Sequence, residues 1–265
     1  MVRGFCAIWL ALVVLPVSAW AQNAAWSGYY LGVNVGARFA SNDWVTSLAC
    51  PNSGICAGGE VGPDFKQTFD STAVRVGGFG GRNWILGSGF VAGVEAEIGW
   101  ANNRNANGPI PGTTASGGPS VTPSISNGDT AAVNLQWDAS LRARVGSLIR
   151  PDTLLFATAG VALQQVETVA TCRNDGSSAT YCTQPSGQWH YDSQTRWMPG
   201  WTIGAGLEHM LADHWLLRVE YRYADFGQAN PTFFANNIGE NGDDRVYAHV
   251  WVKTHTVNLG AAYKF

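Results

Sequence analysis

Residues 133–145 read Val-Asn-Leu-Gln-Trp-Asp-Ala-Ser-Leu-Arg-Ala-Arg-Val. The odd positions Val133, Leu135, Trp137, Ala139, Leu141, Ala143 and Val145 are apolar, and the even positions Asn134, Gln136, Asp138, Ser140, Arg142 and Arg144 are polar. Successive side chains of a strand point to opposite faces, so this stretch predicts a strand with one apolar and one polar face. Its length is informative too. A strand that crosses lipid at a tilt needs about nine to eleven residues, whereas an ordinary globular strand has about five or six.

The same alternation recurs along the chain. Leu31, Val33, Val35, Ala37 and Phe39 alternate with Gly32, Asn34, Gly36 and Arg38. The pattern predicts eight strands, at 27–39, 71–82, 90–101, 131–147, 154–166, 196–210, 215–226 and 246–265. The second is the least regular, because Gly77, Gly78, Gly80 and Gly81 blur its faces and invite a bulge. Short turns follow the second, fourth and sixth strands, at 83–89, 148–153 and 211–214; much longer segments follow the first, third, fifth and seventh. Short turns at one rim and long loops at the other are the habit of bacterial membrane barrels. Four such loops would count against a compact soluble domain. The loop at 102–130, rich in Gly, Pro, Ser, Thr and Asn, is expected to be disordered and solvent-exposed, and the one at 227–245, which mixes Asn, Gly and acids with Phe233 and Phe234, to be mobile.

Composition points the same way. Only 13% of residues are charged, against about 25% in a soluble domain. No segment after the N-terminal leader is apolar over a helical span; Leu154–Leu163 contains Thr158 and Gly160. Helices and closed barrels are the structures that satisfy every backbone hydrogen bond in lipid. Aromatics supply an independent check, since they gather at headgroup depth. The strand directions put Trp26, Trp84, Trp215, Tyr263 and Phe265 at the short-turn end. Trp100, Trp197, Trp201, Tyr223 and Trp251 fall at the other, with Trp137 slightly deeper.

The N-terminus reads as an export leader. Met1–Arg3 is a short cationic start, 5–17 is almost unbroken apolar sequence, and Ala19-Trp20-Ala21 is a small-x-small cleavage pattern. The expectation is a signal peptide over 1–21 and one barrel domain over 22–265. A retained anchor helix is the alternative, although the run is short of the ~20 residues a span needs. Cys50 with Cys56, and Cys172 with Cys182, suggest two local loop disulfides in an exported protein, among three connectivities. A four-cysteine metal site is the rival reading, but the spacing is not that of zinc knuckles. The net charge of −3 suggests no nucleic-acid partner.

The polar face carries Arg38, Arg75, Glu95, Glu97, Asp138, Arg142, Arg144, Glu208, Arg218, Glu220, Arg222 and Lys264. Eight strands enclose an interior only wide enough for side chains, and buried charges persist only when paired. A salt-bridged plug is therefore the leading reading of the lumen. A narrow path for small solutes is the second, because charge rings do line pores. Of the histidines His190, His209, His214, His249 and His255, none stands in a motif with a nucleophile and an orienting acid; His190, Asp192 and Ser193 are expected in a loop. No catalytic, cofactor-binding or metal residues are expected.

The ending, in which Val257, Leu259, Ala261, Tyr263 and Phe265 alternate, looks like the signal read by the outer-membrane insertion machinery. Together with Trp26-Ser27-Gly28-Tyr29-Tyr30-Leu31-Gly32, the stretch Gly200–Glu208 and the ending 254–260, it resembles the small outer-membrane immunogenic or porin-family barrels of Gram-negative bacteria. The resemblance spans essentially the whole chain after the leader. It implies an OmpA-like, all-β fold: an eight-stranded antiparallel transmembrane up-and-down β-barrel with short periplasmic turns and long extracellular loops. It further implies a structural or surface-presenting role, weak porin activity, and contact with outer-membrane lipid and lipopolysaccharide. A lipid-modifying enzyme, and an adhesin or receptor acting through the loops, are the alternatives. The cysteine-bearing and Gly/Pro/Ser loops depart from the family pattern.

Overall fold

In the computed structural model of the protein, residues 26–49, 66–87, 89–104, 108–111, 130–173, 189–212, 214–235, 238–239, 242–243 and 245–265 are described. The long strands are β1 (Gly28–Ala49), β2 (Lys66–Ile85), β3 (Phe90–Asn103), β4 (Thr130–Arg150), β5 (Thr153–Arg173), β6 (Trp189–Ala212), β7 (Trp215–Ala229) and β8 (Val246–Lys264). Each pairs antiparallel with the next, and β8 pairs antiparallel with β1, for example Val33 with Ala261 and Arg38 with Thr256. The ring is closed, so every membrane-level edge is paired. The short connections between β2 and β3, β4 and β5, and β6 and β7 form the periplasmic rim. Alternation does the local work: Leu31, Val33, Val35 and Phe39 are exposed on the lipid side while Asn34 and Arg38 are buried inside.

All eight predicted strands are present, but several run further on the extracellular side; β1 reaches Ala49 and β6 begins at Trp189. There the polarity of the two faces inverts. Outward positions become Ser41, Asp43, Lys66, Thr68, Asp70 and Lys253, and inward ones become Trp44, Phe69, Val166, Ala170, Val250 and Val252. Above the lipid the outside meets water, so the apolar face turns inward. The segment 133–145 crosses this boundary, and its single apolar face is corrected accordingly. Val133 and Leu135 are fully buried inside the barrel, whereas Trp137, Leu141 and Val145 are exposed outside. The switch is a bulge: β4 carries one residue more than β5 between the pairs Leu135–Val166 and Asp138–Gln164, and an extra residue flips the face of everything beyond it.

The interior is three layers deep. Trp26, Tyr30, Phe79, Val91, Leu154, Phe156, Leu216 and Ala262 form an apolar floor at the periplasmic end. Trp26 belongs to this floor rather than to the aromatic girdle; it is 1% exposed and its Nε1 donates to the Pro151 carbonyl at 3.0 Å. A charged layer lies above the floor. An apolar cap then includes Trp44, Phe69, Leu135, Met198, Phe226, Phe233 and Phe234. The cap draws on the chain beyond β7: Thr232–Phe233 pairs with Val246–Tyr247, and the Phe233 ring stacks on Trp44 at 5.2 Å. Phe233 and Phe234 are therefore packed interior residues, where the sequence suggests a mobile loop.

Candidate functional site: the charged layer of the lumen

Six arginines face five carboxylates in the middle layer, all buried. Strand parity aims them inward from β1, β2, β3, β4, β6 and β7. Arg142 is central: its guanidinium bonds Glu95 Oε1, Glu97 Oε2 and Glu220 Oε1, each at 2.6 Å. Arg75 grips Asp138 in the two-pronged manner a guanidinium allows, Nη2 to Oδ1 at 2.6 Å and Nε to Oδ2 at 2.8 Å, and reaches Glu97 at 2.7 Å. Arg222 joins Glu97 at 2.9 Å to Asp138 at 3.1 Å. Next to the floor, Glu208 pairs with Arg144 at 2.7 Å and accepts from Arg218 Nε at 2.7 Å, while Arg218 also reaches Glu95 at 2.6 Å. The Arg218 guanidinium lies 4.1 Å above the Phe79 ring and that of Arg144 lies 4.5 Å from the Phe156 ring, so the charged layer rests on aromatic faces.

Arg38 closes the layer at the top. It pairs with Asp138 at 3.0 Å and donates to Asn103 Oδ1 at 2.6 Å. Its Nη2 takes the carbonyls of Leu135 and Gln136, both at 3.0 Å, and Gln164 Nε2 takes that of Trp137 at 2.9 Å. These carbonyls belong to the β4 bulge, whose broken ladder leaves acceptors needing partners. Tyr30 donates to Glu95 at 2.7 Å and Asn34 to Glu97 at 3.0 Å. Tyr30, Asn34, Asn103 and Gln164 are the neutral members of the network; charge does not mark them in the sequence, although Tyr30 and Asn34 share inward parity with Arg38. Gly99 is a further such residue: a Cβ there would collide with the Arg75 guanidinium, so its bare backbone makes the room.

Lys264 does not join this layer. It is half-buried at the periplasmic rim, and among the described residues no ion pair engages it. Parity does turn it inward, but it sits below the floor, where an ammonium on a flexible stem stays hydrated. Tyr263 and Phe265 are exposed at the same rim, their rings 5.3 Å apart, and Phe265 N–H donates to the Tyr29 carbonyl at 2.9 Å. Cys172 is buried at the end of β5; Cys50, Cys56 and Cys182 lie outside the described residues, as does the whole of 1–21, so the expected disulfide pairs fall outside them too.

The layer offsets most of its own charge, six guanidiniums against five carboxylates. Oxygens of Glu95, Glu97 and Glu220 converge closely enough for a metal ion, but the Arg142 guanidinium already stands on all three, so the donor set fits a fixed organic cation. The described histidines lie elsewhere. His255 Nδ1 is 2.6 Å from the Tyr221 hydroxyl on the outer surface, and His209 Nδ1 is 3.1 Å from Thr153 Oγ1 at the rim. His190, Asp192 and Ser193 are on strand β6 rather than in a loop. Asp192 Oδ2 accepts the Phe234 N–H at 2.7 Å, which is a structural task.

Taken together, a closed eight-stranded ring, a lipid-facing apolar belt and a salt-bridged lumen define a small outer-membrane barrel. The chain belongs to the outer membrane protein beta-barrel domain family, whose family model matches residues 7–265. It is 27% identical over 260 residues to the 31 kDa outer-membrane immunogenic protein of Brucella melitensis, covering 94% of this chain and 88% of that one. It is 26% identical over 253 residues to the 25 kDa outer-membrane immunogenic protein of Brucella abortus, covering 96% and 85%. The 22 kDa outer membrane protein of Rhizobium leguminosarum matches at 24% over 246 residues, covering 91% and 79%. Among solved structures, it is similar to the outer membrane protein OprG from Pseudomonas aeruginosa at 10% identity and a TM-score of 0.48, covering 90% and 96%.

Proposed function

We propose that the protein is a non-enzymatic barrel with a structural role in the outer membrane, presenting its extracellular segments at the cell surface. The observation that carries this reading is the packing of the lumen: an apolar floor, a charged layer whose side chains meet at hydrogen-bonding distance, and an apolar cap follow one another along the barrel. The cavity beside Arg38, Asp138 and Arg222 offers about 10 Å³, room for one water. Guanidiniums and carboxylates that bind one another leave no group poised to take a proton from a substrate, which supports a non-catalytic role. The immunogenic character in the names of the Brucella relatives supports surface display. Weak porin activity, with small solutes as partners, finds no support in this lumen. The test is conductance in planar bilayers: refolded protein is expected to give no reproducible channel steps, and stable unitary steps would overturn the closed-barrel reading.

A further inference from the structure

The charged layer is one negative charge short, and the shortfall has a place. Near the floor the groups match one for one: Arg142 has Glu220, Arg144 has Glu208 and Arg218 has Glu95. Above them Arg38, Arg75 and Arg222 share Asp138 and Glu97. Both oxygens of Asp138 are already engaged, Oδ1 by Arg75 and Arg222 and Oδ2 by Arg75 and Arg38. The adjoining wall brings no further acid. Thr256 of β8 pairs in register with both Arg38 and Arg222, and its inward neighbours are Thr254 and Asn258, all three buried.

The small cavity of the lumen lies at this same level. Its polar wall is Arg38, Asp138, Ser140, Gln164, Arg222 and Thr254, and alanines with Phe226 form the rest. Its volume of about 10 Å³ admits one particle of about the size of a water. Two of its groups have donors to spare. Arg222 gives one N–H to Glu97 and one to Asp138, out of the five that a guanidinium carries. The Ser140 hydroxyl is buried and has no hydrogen-bond partner among the described residues; strand parity turns it inward with Asp138 and Arg142. A surplus positive charge in so dry a setting is costly unless an anion meets it.

We propose that this cavity binds a single halide ion, which accepts from Arg222 and from the Ser140 hydroxyl and completes the charge of the layer. Size selects the class: a halide is only slightly larger than a water, whereas phosphate, sulfate and organic carboxylates exceed the space. A halide also brings no donor of its own, so it makes no conflict with the guanidiniums around it. A water in the same place would satisfy Ser140 and leave the charge uncompensated.

The test refolds the full-length protein into detergent separately in sodium chloride, sodium bromide and sodium gluconate at equal ionic strength. Urea unfolding midpoints and bromide anomalous scattering from crystals are the readouts. Wild type is expected to unfold at higher urea in either halide than in gluconate, with a gain that grows with the logarithm of halide concentration, as mass action requires. Crystals grown in bromide should show a peak between Arg222 and Ser140. Arg222→Gln leaves Asp138 with Arg38 and Arg75, and Glu97 with Arg75 and Arg142, so it should fold while losing both the gain and the peak. Ser140→Ala keeps the charge but drops one donor, and should need about tenfold more halide for the same gain. Lys253→Gln, on the outer face, should behave as wild type. Heat-modifiable gel migration confirms that each variant has folded. Equal wild-type midpoints in chloride and gluconate overturn the proposal, and so does a halide gain that Arg222→Gln retains in full. A bromide peak without any halide effect on unfolding marks an adventitious ion only and overturns it equally. Conductance tests the closed-barrel reading separately, so the two can fail independently.

Discussion

Arg142 stands where three carboxylates need one cation, so its removal tests the whole charged layer at a single position. Arg142→Met would leave Glu95, Glu97 and Glu220 short of their common partner in a water-poor interior. Breaking a buried ion pair from one side costs about 3–5 kcal/mol, and we expect a loss of that size in urea-driven unfolding from detergent or lipid. Arg142→Lys should recover little, because an ammonium cannot span three acceptors as a planar fork does. Lys264→Met is the contrast: outside the layer and hydrated, it should change stability by no more than about 0.5 kcal/mol. The ion pair of Asp43 with Lys66, at 2.8 Å on the outer face above the lipid, behaves differently again. Partial burial would raise the Asp43 pKa, but the Lys66 and Thr68 hydrogen bonds outweigh it and hold the carboxyl below its ordinary 3.8. A depressed carboxylate stabilises the fold above its unfolded pKa and loses that contribution as pH falls through the folded value. Because both partners are solvent-accessible the contribution is small, so Asp43→Asn should leave the unfolding midpoint at neutral pH nearly unchanged.

Strand β4 carries the element-scale prediction. With the bulge in place, a cysteine at Leu135 is sealed inside the cap while one at Asn134 faces water. Under non-reducing conditions a water-soluble maleimide should label Asn134→Cys and spare Leu135→Cys, measured against wild type. The opposite result would mean an unbroken alternation from Val133 to Val145. That unbroken alternation is what the sequence suggests, and the reason it misleads is physical. Period two reveals that a strand exists and which residues share a face, but the meaning of each face depends on the solvent beside it. Within the lipid belt, Leu31, Val33, Leu141 and Val145 read correctly as outward. Above it, water replaces lipid, the apolar residues belong inside, and the bulge that makes the change in β4 leaves the printed alternation intact. The strands run past the ends that the alternation marks for the same reason: Ser41, Asp43, Lys66 and Glu167 look like loop chemistry when apolar residues are expected outside. The charged layer was more legible, because acids and arginines inside a narrow barrel have few alternatives to one another. What charge alone could not reveal was the neutral half of the network. Asn103 and Gln164 are found only by asking who satisfies Arg38 and the carbonyls released by the bulge, a question that needs the register.

For the molecule as a whole, the three layers act in series. An ion crossing the barrel must pass the floor around Phe79 and Phe156, the guanidinium–carboxylate layer around Arg142, and the cap around Trp44 and Phe233. Conductance through barriers in series is set by the tightest of them. Opening one layer should therefore leave the protein electrically silent. Phe79→Ala removes an aromatic from the floor and withdraws the face beneath Arg218, at a stability cost of about 3–5 kcal/mol, yet the paired charges above still block the path. Trp44→Ala likewise loosens only the cap. The charged layer is the barrier that both leave intact, because its side chains meet at hydrogen-bonding distance from six strands. Variants that combine Phe79→Ala and Trp44→Ala with Arg142→Ala should be the first to conduct, provided their unboiled gel migration shows a folded barrel. If Phe79→Ala alone produces steady channel steps, the charged layer is itself permeable, and the series argument fails at that layer.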